Sequence, residues 1–302
     1  MQLFSELLSL RDWVRWASTR FRDAELFYGH GTDNDWDEAQ VLALWAINQP
    51  WQRLEQLWDV RLSSDEKDKL VKAVEKRIIK RCPAAYITGE AWFAGLPFYV
   101  NENTLVPRSP IAELIDAQFQ PWLSDYPARI LDLCTGSGCI GIACAVEFAD
   151  SEVDLVDISA DALHVAKRNI ERFDLSSRVQ AIESDGLTEV LEQRYDLIVS
   201  NPPYVSEAEY AQLPAEYLAE PKLGLTSGND GFDFVQGLLR QAEQCLLPGG
   251  LLVVEVGYGW ELFAERYAEY PFFWPEFEHG GCGVFILSRE QLVDVHSRLG
   301  GQ

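Results

Sequence analysis

Between residues 128 and 288 the chain alternates short apolar runs with segments of helical spacing, and this pattern limits the fold more than any other feature. ARILDLC (128–134) is followed by a helix over Cys139–Phe148, and EVDLVDIS (152–159) by a helix through Phe173. VQAIES (179–184) and YDLIVS (195–200) are further strands. Residues 231–246 have helical spacing, LLPGG (246–250) reads as a turn into LLVVEVG (251–257), and CGVFILS (282–288) closes the chain as a strand. Apolar runs without polar alternation belong to strands covered on both faces, and strands separated by helices return parallel. The expected fold class is α/β, with a doubly wound, mostly parallel sheet.

The first 81 residues have a different texture. In LVKAVEKRIIKR (70–81), Leu70, Val71, Val74 and Ile78 recur at three- and four-residue spacing, as on one face of a helix. Ser63 with Glu66 forms a possible capping box, and Pro83 ends the run. Trp13 and Trp16 mark an earlier amphipathic helix, and residues 36–49 suggest another. From residue 85, aromatic pieces punctuated by Gly89, Gly95 and Pro97 read as a hairpin and linker. The expected division is a helical domain at 1–84, a β-hairpin linker at 85–108 and a catalytic domain at 109–302.

Charge follows the same boundary. The 302 residues carry a formal net charge of −23. Residues 1–84 hold 13 basic and 14 acidic residues, whereas residues 85–302 hold 12 and 34. Such a field repels phosphate and attracts basic surfaces, so nucleic acid is a poor main partner and DNA is not expected. No stretch approaches the ~20 uninterrupted apolar residues of a membrane span. The N-terminus has neither a basic region nor a small-residue cleavage site, which argues for the cytoplasm. The six cysteines form no CxxC pair, and Cys134, Cys139 and Cys144 recur every five residues, a poor fit to a metal site. No metal is expected, and the thiols read as reduced and structural.

The run after the first strand is Asp132-Leu-Cys-Thr135-Gly136-Ser137-Gly138-Cys-Ile-Gly141. Glycines there let the backbone pass close to a ligand and open a helix whose N–H groups face it. Asp157 ends the second strand, 21 residues after Gly136, where a carboxylate can accept ribose hydroxyls. Asp185, after the third strand, is a candidate for the adenine amino group, or a surface turn. GSGCIG taken alone also fits a dinucleotide fingerprint, which keeps a nicotinamide enzyme in play. Asp132 tilts against it, because a carboxylate beside the loop repels a pyrophosphate. S-adenosyl-L-methionine, with an ammonium, a sulfonium and no phosphate, suits it better.

The fourth strand ends in Asn201-Pro202-Pro203-Tyr204. A planar amide nitrogen is a poor nucleophile because its lone pair is delocalised. The Asn201 side-chain oxygen and the Pro202 carbonyl can each accept one N–H from such a group, fixing the nitrogen about 3 Å from a donor methyl. The prolines stiffen the loop, and Tyr204 can stack on the planar acceptor and exclude water. An amide acquiring an alkyl group sheds its proton readily, so no strong base is required.

These residues resemble the protein N5-glutamine methyltransferases, a branch of the class I S-adenosylmethionine-dependent enzymes. The resemblance covers nearly the whole chain and includes FAGLPFYV (93–100), VPR (106–108), the loop at 132–138, NPPY, EPKLGLTSGNDG (220–231) and LLPGG. It implies a Rossmann-like sheet whose last strand is antiparallel, with a small helical N-terminal domain that helps to recognise the protein substrate. It implies that Thr135, Gly136, Ser137, Gly138 and Asp157 bind the cofactor; Asp132, Asp185 and Asn201, at the neighbouring strand ends, complete the set of cofactor candidates. It also implies that Asn201, Pro202, Pro203 and Tyr204 bind the glutamine amide, with Asn201, Pro202 and Tyr204 catalytic.

Two branches compete: one modifies the GGQ glutamine of peptide release factors, the other a glutamine of large ribosomal subunit protein three. YGHGTDNDWDEA (28–39), Cys134 and PRSPIAELI (107–115) match the second, and a basic ribosomal protein suits the acidic catalytic half. The release-factor branch usually has Gly at the Cys134 position and a PRPxTE-type segment, and often an aromatic where Gly186 stands. A DNA adenine N6-methyltransferase also uses NPPY, but the acidic half speaks against it. A purely binding assembly chaperone is a further alternative. His30 and Asp33 read as structural or substrate-docking, and Arg108 as lining the active-site mouth or forming a surface salt bridge.

Overall fold

The structure, a computed structural model, describes residues 6–299. The chain divides into two compact units. One comprises the residues up to Glu90 together with Leu213–Ala219, and the other comprises Ala91–Gln212 and the residues from Glu220 onward.

The first unit is helical: Leu10–Asp23, Asp35–Ala46, Leu54–Leu57, Ser64–Lys80 and Ala84–Thr88. Ser9 and Ser63 begin the first and fourth of these with capping boxes, closed by Asp12 and Glu66. The Ser64–Lys80 helix stops where Arg81 turns left-handed (φ 52°), two residues before Pro83. Its Leu70 and Val74 join Trp13, Val14, Phe21 and Leu42 in the core, with Val71 and Ile78 packed at the margin. Each fully buried side chain of this kind contributes about 1.5–3 kcal/mol. Segment 213–219, absent from the expected helical region, belongs to this unit through Glu216. The Glu216 carboxylate accepts from the backbone N–H of Phe27 (3.2 Å), Arg77 (3.2 Å) and Arg81 (3.3 Å).

A two-stranded hairpin, β1 (Glu90–Phe93) and β2 (Leu96–Tyr99), starts at the boundary and from Ala91 onward belongs to the second unit. A six-stranded sheet follows: β3 (Arg129–Leu133), β4 (Glu152–Asp157), β5 (Val179–Glu183), β6 (Tyr195–Ser200), β7 (Leu246–Glu255) and β8 (Val284–Ser288). Their spatial order is β5-β4-β3-β6-β7-β8; all neighbours are parallel except β7 and β8. Successive strand residues serve opposite faces. Ile130, Leu197, Val199 and Val253 enter one core cluster, while Leu131, Ile198, Leu252 and Val254 enter the other. Burial on both faces is why these strands lack polar alternation.

Two strand-level readings need correction. LLPGG is no free turn: Leu246 pairs with Tyr195 and Leu251 with Leu197, so Leu247–Gly250 bulges out within β7. Nor does the strand at 282–288 close the chain, because a helix, Arg289–Leu299, follows it. Ser288 and Gln291 cap its start reciprocally, and Leu292 and Val295 are buried on its inner face.

All six cysteines are free thiols. Among the described residues no helix is long and apolar enough to cross a membrane, and no His/Cys/Asp/Glu cluster could hold a metal ion.

Candidate active site

The sheet order places a reversal beside β3: the chain winds outward through β4 and β5, then crosses to β6 on the other side. Loops leaving the carboxyl ends of β3 and β6 therefore diverge and open a crevice, where open α/β sheets bind ligands. Leu133 pairs with Ser200, and the Ser200 hydroxyl donates to the Leu133 carbonyl at 2.7 Å. The glycine loop and Asn201-Pro202-Pro203-Tyr204 begin one residue beyond that pair. Asp157 ends the next strand, and Asp185 stands two residues beyond its partner Glu183.

The loop is tightly built. Gly138 has φ +82° and caps the Cys139–Glu147 helix. Gly141 permits a close approach, since a Cβ there would stand 2.2 Å from the Leu155 side chain and 2.8 Å from Asp132 Cβ. The Asn169 amide donates to the Ser137 carbonyl at 2.8 Å, tying the loop to the Ala160–Arg172 helix. Around Gly136 a Cβ would meet no atom within 4 Å, so its surface is open.

Asp132 is buried. Its Oδ2 accepts from Thr135 Oγ1 (2.5 Å) and Gly141 N (2.8 Å), while its Oδ1 has no hydrogen-bond partner among the described residues. Burial pushes its carboxyl up to about 7, against the pull of those two hydrogen bonds. Asp157 accepts from Gly136 N and Ser159 N, both at 2.9 Å, and burial raises it too. Asp185 is exposed, and its carbonyl accepts from the Thr188 hydroxyl at 2.7 Å.

At β6, Pro202 is buried and Asn201, Pro203 and Tyr204 are half-buried. The Tyr204 hydroxyl donates to Glu255 Oε1 at 2.8 Å. Glu255 ends β7, is buried, and accepts from Ser109 Oγ through Oε2 at 2.6 Å. Burial raises its carboxyl. Arg108 forms a salt bridge: it grips buried Glu220 with two bonds, 2.6 and 2.7 Å, and Glu220 also accepts from Val106 N. His30 and Asp33 belong to the helical unit, where the His30 ring lies 4.6 Å from that of Tyr217 and Asp33 is exposed. The sequence reading missed Glu255, Ser109 and Glu220. Glu255 had a visible signal, an acid at the end of the otherwise apolar LLVVE.

The crevice suits S-adenosyl-L-methionine. An orphaned buried carboxylate oxygen beside an open glycine loop favours a cationic, phosphate-free group, and Asp157 retains lone pairs for hydroxyls.

Comparison with known proteins points the same way. The methyltransferase small domain matches residues 119–229, and the PrmC N-terminal domain matches residues 12–89. The chain is 45% identical to a ribosomal protein uL3 glutamine methyltransferase of Neisseria gonorrhoeae, over 97% of this chain and 98% of the relative. A protein of the same description from Francisella tularensis is 43% identical, over 96% and 93%. Among solved structures, the hMettl16 catalytic domain, in complex with a MAT2A 3'UTR hairpin, has a TM-score of 0.54 at 14% identity. It covers 82% of this chain and 90% of its own, a likeness of fold alone. The chain is an S-adenosyl-L-methionine-dependent methyltransferase. With near-full-length identity of this order to two such enzymes, it belongs to the ribosomal protein uL3 glutamine methyltransferase family.

Proposed function

We propose that the enzyme methylates the side-chain amide N5 of a glutamine in ribosomal protein uL3. The observation that carries this reading is the adjacency of NPPY and the glycine loop at the β3–β6 reversal. S-adenosyl-L-methionine, when bound, supplies an electrophilic methyl on a sulfonium. Asp132, Thr135, Gly136, Ser137, Gly138, Asp157, Asp185 and Asn201 would hold it. The Asn201 carboxamide has no hydrogen bond among the described residues, so its oxygen is available to an N–H of the substrate. The Pro202 carbonyl takes the second N–H. Two acceptors on one nitrogen align its lone pair and favour the positive charge that would develop there as the methyl passes from sulfur to nitrogen, after which the alkylated amide would shed one N–H proton to water. Pro202 and Pro203 keep those acceptors fixed, and Tyr204 covers the planar amide.

The helical unit, with its boundary near Glu90 rather than residue 84 and with Leu213–Ala219 added, serves in substrate recognition, and the unit from Ala91 serves as the catalytic domain. The excess acidity of the catalytic half favours a basic ribosomal protein over DNA or RNA. A ribosomal substrate also puts the reaction in the cytoplasm. The test is transfer of labelled methyl from the cofactor to purified uL3, with mass spectrometry to locate the label. A glutamine of uL3 should carry it. Labelling of a release-factor glutamine instead, with uL3 untouched, would refute the substrate assignment.

A further inference from the structure

Beyond the loop itself, we infer that Glu255 is a positioning residue for methyl transfer, holding the Tyr204 ring in place through its hydroxyl. This rests on the reading of Tyr204 as the cover of the substrate amide.

The register brings the two residues together. Ser200 pairs with Val254, so Glu255 flanks the step at which β6 becomes the NPPY loop. Its two carboxylate oxygens are both engaged, one by Tyr204 Oη (2.8 Å) and one by Ser109 Oγ (2.6 Å). Ser109 Oγ accepts in turn from Ile111 N at 3.2 Å, at the start of the Ile111–Asp116 helix. The carboxylate is thereby fixed from a second element and cannot swing away from the phenol. Packing completes the hold. A Cβ on Gly257 would fall 2.5 Å from Tyr204 Cε2, and one on Gly231 would fall 2.2 Å from the Tyr204 carbonyl oxygen. Both glycines have positive φ, 60° and 84°. Tyr204 is thus fixed at its hydroxyl, its ring and its backbone.

The chemistry of this hold differs from that of a core tyrosine. The single phenol hydrogen is committed to Glu255, so Tyr204 presents its ring face, not a donor, to the amide. Donation to a carboxylate also makes the ring richer in electrons. A face of that kind attracts the positive charge building on the nitrogen as it takes the methyl.

The experiment uses the full chain with uL3 as acceptor. Methyl transfer and cofactor affinity are measured for Glu255→Ala, Glu255→Gln, Tyr204→Phe, Tyr204→Ala and the pair Tyr204→Phe with Glu255→Ala. Glu255→Ala should lower kcat by roughly 10- to 50-fold with cofactor Kd changed less than about twofold. Glu255→Gln keeps an acceptor oxygen and should return to within about threefold of the parent enzyme. The double variant should be no worse than the poorer single one, because both remove the same bond. Multiplying losses, a Glu255→Gln as poor as Glu255→Ala, or a collapse of cofactor affinity would overturn the inference. If the Tyr204 variants lose activity while both Glu255 variants keep it, only the role of Glu255 fails. If Tyr204→Ala transfers methyl as well as the parent does, the amide reading fails instead.

Discussion

The helical unit and the strand-end site of the other unit bury charge in opposite ways, although elsewhere in that second unit Arg108 and Arg129 pair with buried Glu220 and Asp154. In the helical unit Arg77 is the hub: Nε donates to Glu38 (2.6 Å), one terminal nitrogen to Glu216 (3.2 Å) and the other to the Phe27 carbonyl (2.8 Å). Glu38 also accepts from Thr32, and Glu216 from Phe27 N and Arg81. The Glu216 carboxyl lies below its ordinary value: burial raises it, but Phe27 N–H and Arg77 bind its charged form more strongly. In the catalytic unit the acids Asp132, Asp157 and Glu255 bond to hydroxyls and backbone N–H groups, and all three lie above their ordinary values because burial dominates. A buried ion network with every fork filled is a fastening. Strand-end carboxylates raised by desolvation mark a candidate site for cations or for holding a phenol.

The largest effect that would sharpen this contrast comes from the hub. Arg77→Ala leaves two buried carboxylates without their main cation and should cost about 3–5 kcal/mol of stability, read by urea unfolding. A loss below about 1 kcal/mol, as for surface ion pairs, would break the comparison at its structural side. In the catalytic unit the parallel change should act on rate. Asn201→Ala removes an acceptor rather than a fastening, so kcat for uL3 methylation should fall by roughly 10²–10³. Urea unfolding should shift by less than about 1 kcal/mol, as expected for a side chain with no bond to lose. An Asn201→Ala protein that methylates normally would remove Asn201 from the reaction.

How much of this was legible in the sequence depended on whether the signal was local. Strands β3 to β6 were readable because burial on both faces leaves continuous apolar runs. The Ser63–Glu66 cap was readable because both partners lie within one turn. The glycine loop, Asp157 and NPPY announced themselves as motifs, and their positions at strand ends followed from the strands. Long-range pairings were not readable. Nothing near Glu216 in the chain indicates that it joins Arg77, 139 residues away, and Arg108 with Glu220 spans 112 residues. Glu255 and Ser109 meet across 146 residues. The closing helix was a local signal overlooked, since Ser288 with Gln291 is itself a capping box.

The smallest expected effect tests the other side of the comparison, through Asp132. Its carboxyl is raised from 3.8 to about 7, so between those values the folded protein holds a proton that the unfolded chain has lost. Stability must then fall as pH rises, opposite to a salt-bridged acid such as Glu216. From pH 5 to pH 7 the loss attributable to this group is about 2 kcal/mol. Asp132→Asn should flatten that slope in urea unfolding of the cofactor-free protein. A cation seated against Oδ1 would favour the ionised form, so cofactor binding near pH 7 should release part of a proton, seen by calorimetry in buffers of different ionisation enthalpy. The proton signal should vanish in Asp132→Asn. Release that persists there would mean another group titrates on binding. No release in the parent enzyme would mean that the orphaned oxygen does not meet the cofactor's charge.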